Sequence, residues 1–336
     1  MENPDPTIVI QLIEAFRGSK AMFTAVELSL FDLLQGSPKD LMTLARETRT
    51  HPDALERLLD ACAGLGLLDK QGNQYSNSPV AQAYLRRESP STLVGYILYS
   101  NRALFPMWGH LEDAVREGTH RWGQTFGHEG SIFEHFFSSD EARRDFLMGM
   151  NGFGMLSSPQ VAAAFDLSAY KRIVDLGGAT GHLALAALDL YPQMRAAVFD
   201  LPGAIETARA LLAGTSGEGR INLIAGDFFT DPLPEADLFA LGRILHDWSE
   251  EKIERLLRKI HNRLPKGGGL LIAERHLNDD KTGPLPALLQ SLNMLVCTEG
   301  KERTFSEYEE LLHEAGFLEV RGKKIGMPLD AILAVK

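Results

Sequence analysis

The residues best suited to chemistry lie in the second half of this 336-residue chain. His246, followed by Asp247 and Trp248, comes just after an apolar run, Ala236-Asp-Leu-Phe-Ala-Leu-Gly-Arg243. A histidine titrates near neutral pH, so at a strand end it can take the proton of a weakly acidic hydroxyl such as a phenol. Glu274 closes the next apolar run, Gly268-Gly-Leu-Leu-Ile-Ala-Glu274, and can orient such a histidine through its second ring nitrogen. Upstream, Asp175-Leu-Gly-Gly-Ala-Thr-Gly181 is a glycine turn leading into an Ala/Leu helix. Small residues there let a ligand approach the backbone, and the helix start offers N–H groups to an anion. Asp200 ends a second apolar run, 25 residues past Asp175, where an acid receives ribose hydroxyls. Asp227, with Phe228 and Phe229, ends a third run, and an acid beside an apolar wall suits the amine and ring of adenine.

The elements that must position these groups alternate between strand and helix. A buried strand, a glycine turn and a helix make the first unit of a doubly wound α/β sheet. Helix Glu250 to Leu264 carries Ile253, Leu256, Leu257 and Ile260 on one face, and Leu318–Arg321 and Ala331–Val335 read as the last strands. Ligands in such sheets sit outside the carboxyl ends of the strands. Gly177, Asp200, Asp227, Arg243, His246 and Glu274 all fall on that rim. The glycine spacing then selects the ligand. A dinucleotide needs G-x-G-x-x-G, but Gly177 and Gly178 are adjacent and Ala179 stands where G-x-G would close. A smaller cradle suits an amino-acid carboxylate. S-adenosylmethionine brings one carboxylate, one ribose and one adenine, and the loop, Asp200 and Asp227-Phe228 supply a site for each. No cluster of side chains has metal-ligand spacing, so no metal is expected.

The N-terminal half reads differently. Residues 7–35 pattern as two helices, with Ile8, Leu12, Ile13 and Phe16 on one face and a break or bend at Gly18. Helical segments at Asp40–Arg46 and Pro52–Leu68 and a hairpin at Asp69–Ser76 complete a winged-helix pattern. DNA binding is disfavoured. The helix Pro52–Leu65 has Arg57 against Asp53, Glu56 and Asp60, and the net charge is −11. A structural or dimerisation domain is the better reading. Residues 93–160 look helical and aromatic-rich, most of the aromatics being core. We place the domain boundary at 165/166. Two distant cysteines, no apolar leader and no membrane-length run suggest a cytoplasmic protein.

Several motifs together resemble the caffeate/acetylserotonin-type small-molecule O-methyltransferases. They are Asp175-Leu-Gly-Gly-Ala-Thr-Gly181, Val198-Phe-Asp-Leu-Pro202, Gly226-Asp-Phe-Phe229, Leu245-His-Asp-Trp248, Pro265-Lys-Gly-Gly268 and Gly300-Lys-Glu-Arg-Thr304. The likeness spans nearly the whole chain and is greatest to the acetylserotonin group. It implies a seven-stranded Rossmann-like methyltransferase domain behind a mostly helical winged-helix domain that forms a homodimer and contributes to the acceptor pocket. It implies S-adenosylmethionine as donor, S-adenosylhomocysteine as product and a small aromatic hydroxyl compound as acceptor. Gly177, Asp200, Leu201, Gly226, Asp227, Phe228 and Arg243 would contact the donor. His246 would be the general base, flanked by Glu274 and Glu302. Asp247, Asn293, Met294 and Cys297 would line the acceptor. Ala179, Phe137, Gly154 and Cys297 depart from residues frequent in that family.

Overall fold

The structure, a computed structural model, describes residues 4–127, 133, 139–326 and 328–336. Phe137 lies outside them. The chain forms two compact units that divide after Arg102.

In the first unit, helix Thr7–Glu27 runs unbroken through Gly18. The expected break does not occur, because a single interior glycine costs a helix only about 1 kcal/mol. A side chain at Gly18 would instead press on Leu65. Helices Leu41–Thr48 and Pro52–Gly64 follow. Strands β1 (Lys39–Asp40), β2 (Leu68–Gln71) and β3 (Gln74–Asn77) form an antiparallel sheet in the order β1-β3-β2. This is the winged-helix arrangement. Phe31, Leu44, Leu59, Cys62 and Tyr75 are its core. Ile8, Leu12, Ile13 and Phe16 are 52–69% exposed together with Ile10, so the first turns of the long helix hold an apolar stripe at the surface.

The second unit is built on seven strands: β4 (Arg172–Leu176), β5 (Arg195–Asp200), β6 (Ile221–Ala225), β7 (Leu238–Gly242), β8 (Gly269–Glu274), β11 (Glu319–Lys323) and β12 (Asp330–Val335). Their order is β11-β12-β8-β7-β4-β5-β6. β4 to β8 are parallel, while β12 runs antiparallel to both β8 and β11. Both faces are covered, so alternate residues enter separate cores. Val174, Leu176, Phe239, Leu241 and Ile272 share one; Ile173, Leu238, Ala240 and Leu271 share the other. A parallel pair, β9 (His276–Leu277) and β10 (Arg303–Thr304), lies beyond the end of β8.

Helix Asp140–Ala162 belongs to this unit, so the observed division falls well before 165/166. Its buried face is mostly small: Gly149, Gly152, Gly154, Ser157 and Ser158. That face lets it pack on helix His182–Leu190, and Val161 and Ala162 join the sheet core. Among the aromatics before it, Trp122 is buried but Phe105 and Phe126 are each 37% exposed, so fewer are core than the pattern suggests. Among the described residues, no helix is long and apolar enough to cross a membrane.

Candidate active site

At the carboxyl ends of β4, β5 and β6, backbone and carboxylates interlock. Gly177, Ala179 and Gly181 all have positive φ. For the two glycines that conformation is free of strain, whereas for Ala179 (φ +47°) it costs about 1 kcal/mol. Ala179 N–H donates to Asp200 Oδ2 at 2.8 Å, and Leu201 N–H donates to Oδ1 at 2.7 Å. Asp200 thereby ties the glycine loop to the next strand rather than capping the helix Pro202–Leu212. Burial pushes its pKa up to about 6 against those two bonds. Asp175, beneath the loop, is 1% exposed, with Oδ2 lacking a hydrogen-bond partner among the described residues. Burial, then the nearby Asp200 charge, pushes it up to about 7.

Asp227 is half-buried at the end of β6, where its carboxylate accepts from Phe229 N–H (2.8 Å) and Thr230 Oγ1 (3.2 Å). Phe228 and Phe229 stand beside it with ring centroids 4.8 Å apart, and Trp248 packs edge-on to Phe229. A side chain at Gly226 would run into the Phe199 ring. Phe228 and Ile244 also border Gly177, which joins this wall to the glycine loop.

The His246 cluster forms where β7 and β8 end. His246 lies in a short turn, Leu245–Asp247, and is 4% exposed. Its Nδ1 is 2.7 Å from Glu302 Oε1 and 3.4 Å from Glu274 Oε2. Glu274 is fully buried, and its Oε1 accepts the amides of Ile244 (3.0 Å) and Leu245 (2.9 Å). The two glutamates divide the work: Glu302 holds the ring and Glu274 holds the turn that carries it. Gly300 allows this closure, since a Cβ there would overlap the His246 carbonyl. Nε2 is 3.7 Å from Asp247 Oδ1, beyond hydrogen-bond reach. Burial favours the neutral ring, but the carboxylates of Glu274, Glu302 and Asp247 outweigh it and raise His246 to about 9. Burial raises Glu274 and Asp247 above the ordinary carboxylate range, with His246 pulling both down.

The His246, Glu274 and Glu302 ligand atoms are close enough to suggest a cation, lying within 4.8 Å of one another. The 2.7 Å contact argues for a hydrogen bond instead, because two ligands on one tetrahedral zinc stand roughly 3.3 Å apart.

On helix Leu285–Cys297, Asn293, Met294 and Cys297 are all buried. Asn293 Oδ1 accepts from Trp108 Nε1 (2.8 Å), and Cys297 Sγ donates to the Asn293 carbonyl (2.8 Å). Burial holds the Cys297 thiol well above its ordinary pKa. Arg243, at the end of β7, takes an unusual φ of +59°. Its guanidinium lies 4.9 Å over the Phe153 ring, with Nη1 3.4 Å from Met150 Sδ.

Sequence reasoning did not single out His182, Ser158, Trp108 or Arg303. His182 Nδ1 pairs with Ser158 Oγ at 2.8 Å, and its ring fills the space a side chain at Gly154 would need. Burial and then the Arg243 charge lower its pKa to about 4. Its place directly after Gly181 was the available signal. Trp108 had none, being 185 residues from its partner.

Two family models match. An O-methyltransferase dimerisation domain covers residues 10–87, and an O-methyltransferase domain covers 108–318. The chain is 41% identical to acetylserotonin O-methyltransferase of Gallus gallus, over 98% of this chain and 97% of that protein. It is also 41% identical to a probable bifunctional dTTP/UTP pyrophosphatase/methyltransferase protein of Homo sapiens, over 99% of this chain and 54% of that one. Among solved structures, human N-acetylserotonin methyltransferase in complex with SAM superposes with a TM-score of 0.94 at 39% identity, covering 100% of this chain and 98% of that chain.

Proposed function

The chain belongs to the O-methyltransferase family, as an S-adenosylmethionine-dependent enzyme of the acetylserotonin type, and from that premise we propose that it methylates a hydroxyl of a small aromatic acceptor with His246 as general base. N-acetylserotonin is the first acceptor to consider, followed by other hydroxyindoles and phenols. The observation that carries the reading is the His246–Glu302 hydrogen bond. It occupies Nδ1 and leaves Nε2 as the nitrogen that meets an acceptor hydroxyl.

The residues present fit the donor. Between Gly177 and Gly181 the only larger side chains are the Ala179 methyl and Thr180, which is buried with its Oγ1 donating to Asn151 Oδ1, and each Asp200 oxygen accepts one backbone N–H and keeps a further lone pair. Phe228 forms an apolar wall next to Gly177. Gly177, Asp200, Leu201, Gly226, Asp227, Phe228 and Arg243 would hold the donor. Asp227 spends part of its carboxylate on its own turn, so its share in gripping adenine is one of two duties. When bound, S-adenosylmethionine supplies an electrophilic methyl group on a sulfonium.

His246 accepts the hydroxyl proton at Nε2 as the oxygen becomes nucleophilic. Glu302 fixes the tautomer and stabilises the resulting imidazolium, while Glu274 keeps the turn rigid. Asp247, Asn293, Met294 and Cys297 shape the acceptor side. Asn293 already gives its carbonyl oxygen to Trp108, which suits a wall more than a direct acceptor contact. The chain acts as a homodimer through its N-terminal unit. The exposed Ile8–Phe16 stripe and the matching dimerisation model support that.

A donor-consumption screen over hydroxyindoles, catechols, simple phenols and flavonoids, read by product mass, tests the reading. A gain of one methyl on one of these classes is expected, with N-acetylserotonin in the first well. Donor binding without methylation of any class would replace it with a binding role.

A further inference from the structure

Behind the base lies a buried charge without an assigned role. Arg303, in β10, is 2% exposed. Its Nη1 donates to the Lys301 carbonyl at 3.1 Å and to the Leu245 carbonyl at 3.4 Å. Lys301 immediately precedes Glu302, and Leu245 immediately precedes His246. One guanidinium nitrogen therefore ties together the two backbone segments that carry the hydrogen-bonded pair. The β9–β10 ladder, which sets Arg303 opposite His276, anchors the arginine from the other side.

We propose that Arg303 is a positioning residue that keeps His246 Nδ1 and Glu302 Oε1 in hydrogen-bond register. The inference rests on His246 being the base. Arg303 also sets a buried positive charge against the backbone next to both members of the pair. Glu274, on β8, and Glu302, next to Arg303 in sequence, each have one buried carboxylate oxygen without a hydrogen-bond partner among the described residues. Tyr308, from helix Phe305–Glu314, feels both glutamates and Arg303, and burial holds its hydroxyl well above 10. His276, buried on β9, has its pKa lowered by desolvation against the charges of Asp330 and Glu302. Glu250, 3.8 Å from Nη2, also pairs with Lys301 at 2.8 Å. His246 and Asp247 complete the charged surroundings. Lysine could match the charge of Arg303 but not its planar fork, so charge and geometry are separable by substitution.

The test is histidine-labelled NMR on the full chain, with calorimetric donor binding as the check on folding. Two readouts are followed: the pH midpoint of the His246 ring and the downfield Nδ1 proton of its bond to Glu302. In Arg303→Gln the loss of a buried positive charge makes nearby groups hold protons more tightly, so the His246 midpoint rises by about 1 unit. In Arg303→Lys the midpoint stays within a few tenths of the original, while the Nδ1 signal broadens or moves upfield. Should the glutamine variant not fold, the lysine variant alone decides. A folded variant set with unchanged midpoint and unchanged Nδ1 signal overturns the proposal. Failure of the base assignment is read separately, as retained methyl transfer in His246→Ala.

Discussion

The proposed donor end, around the glycine loop, and the proposed base cluster, around His246, are built in opposite ways. The donor end is assembled from neighbours in sequence: a strand, a glycine turn, and acids at the ends of the next two strands. Much of its bonding is backbone, as in Ala179 and Leu201 N–H on Asp200. The proposed base cluster joins the ends of β7 and β8 to a segment 56 residues past His246, and the bond that links them, His246 Nδ1 to Glu302 Oε1, is between two buried side chains, with Glu274 holding the backbone of the turn. A backbone-rich cradle tolerates side-chain change, whereas a buried charged cluster loses its geometry when one member goes.

That contrast can be broken at either end. His246→Ala should lower kcat by about a thousandfold while leaving donor affinity within about twofold, because a general base acts on the acceptor proton and not on the donor. Single-turnover transfer together with calorimetry checks it, and a parallel loss of donor binding would merge the two regions. Asp200→Ala should do the reverse, weakening donor binding by about tenfold or more through loss of a charge-assisted hydrogen bond and of the loop tie. An unchanged donor Kd would remove the ribose role. Ala179→Gly should have the smallest effect. It relieves a left-handed alanine but adds freedom to the unfolded chain, so stability changes by less than about 1 kcal/mol in thermal melts.

The same contrast explains what could be read from the residues alone. Each donor-end signal is local: apolar runs of strand length, a Gly177-Gly178 turn, an acid at a strand end. The seven strands were therefore legible, and so were the rim residues. The β9–β10 pair was not, because two-residue strands have no periodicity, and it is this pair that brings Glu302 to His246. Resemblance alone pointed to Glu302. Helix Asp140–Ala162 looked like part of the N-terminal half because it continues the helical pattern up to the first strand, and its buried face carries many small residues. Those same residues let it pack against the sheet domain. Gly154 departs in sequence from the residues frequent in the family, and in space it is the room for His182.

The central claim is that His246 is the base and that carboxylates behind it set its proton affinity. The pH dependence of kcat/KM, compared between the native chain and Glu302→Gln, addresses it most directly. His246 stands raised, at about 9 in the chain without donor, and a base must lose its proton to act. The native profile should therefore ascend with pH through the alkaline range. Removing one of the carboxylates that hold the proton should move that limb down by about 1–2 units, with a lower plateau because the tautomer is no longer fixed. Limbs that coincide, or a limb that moves up in Glu302→Gln, would contradict the account.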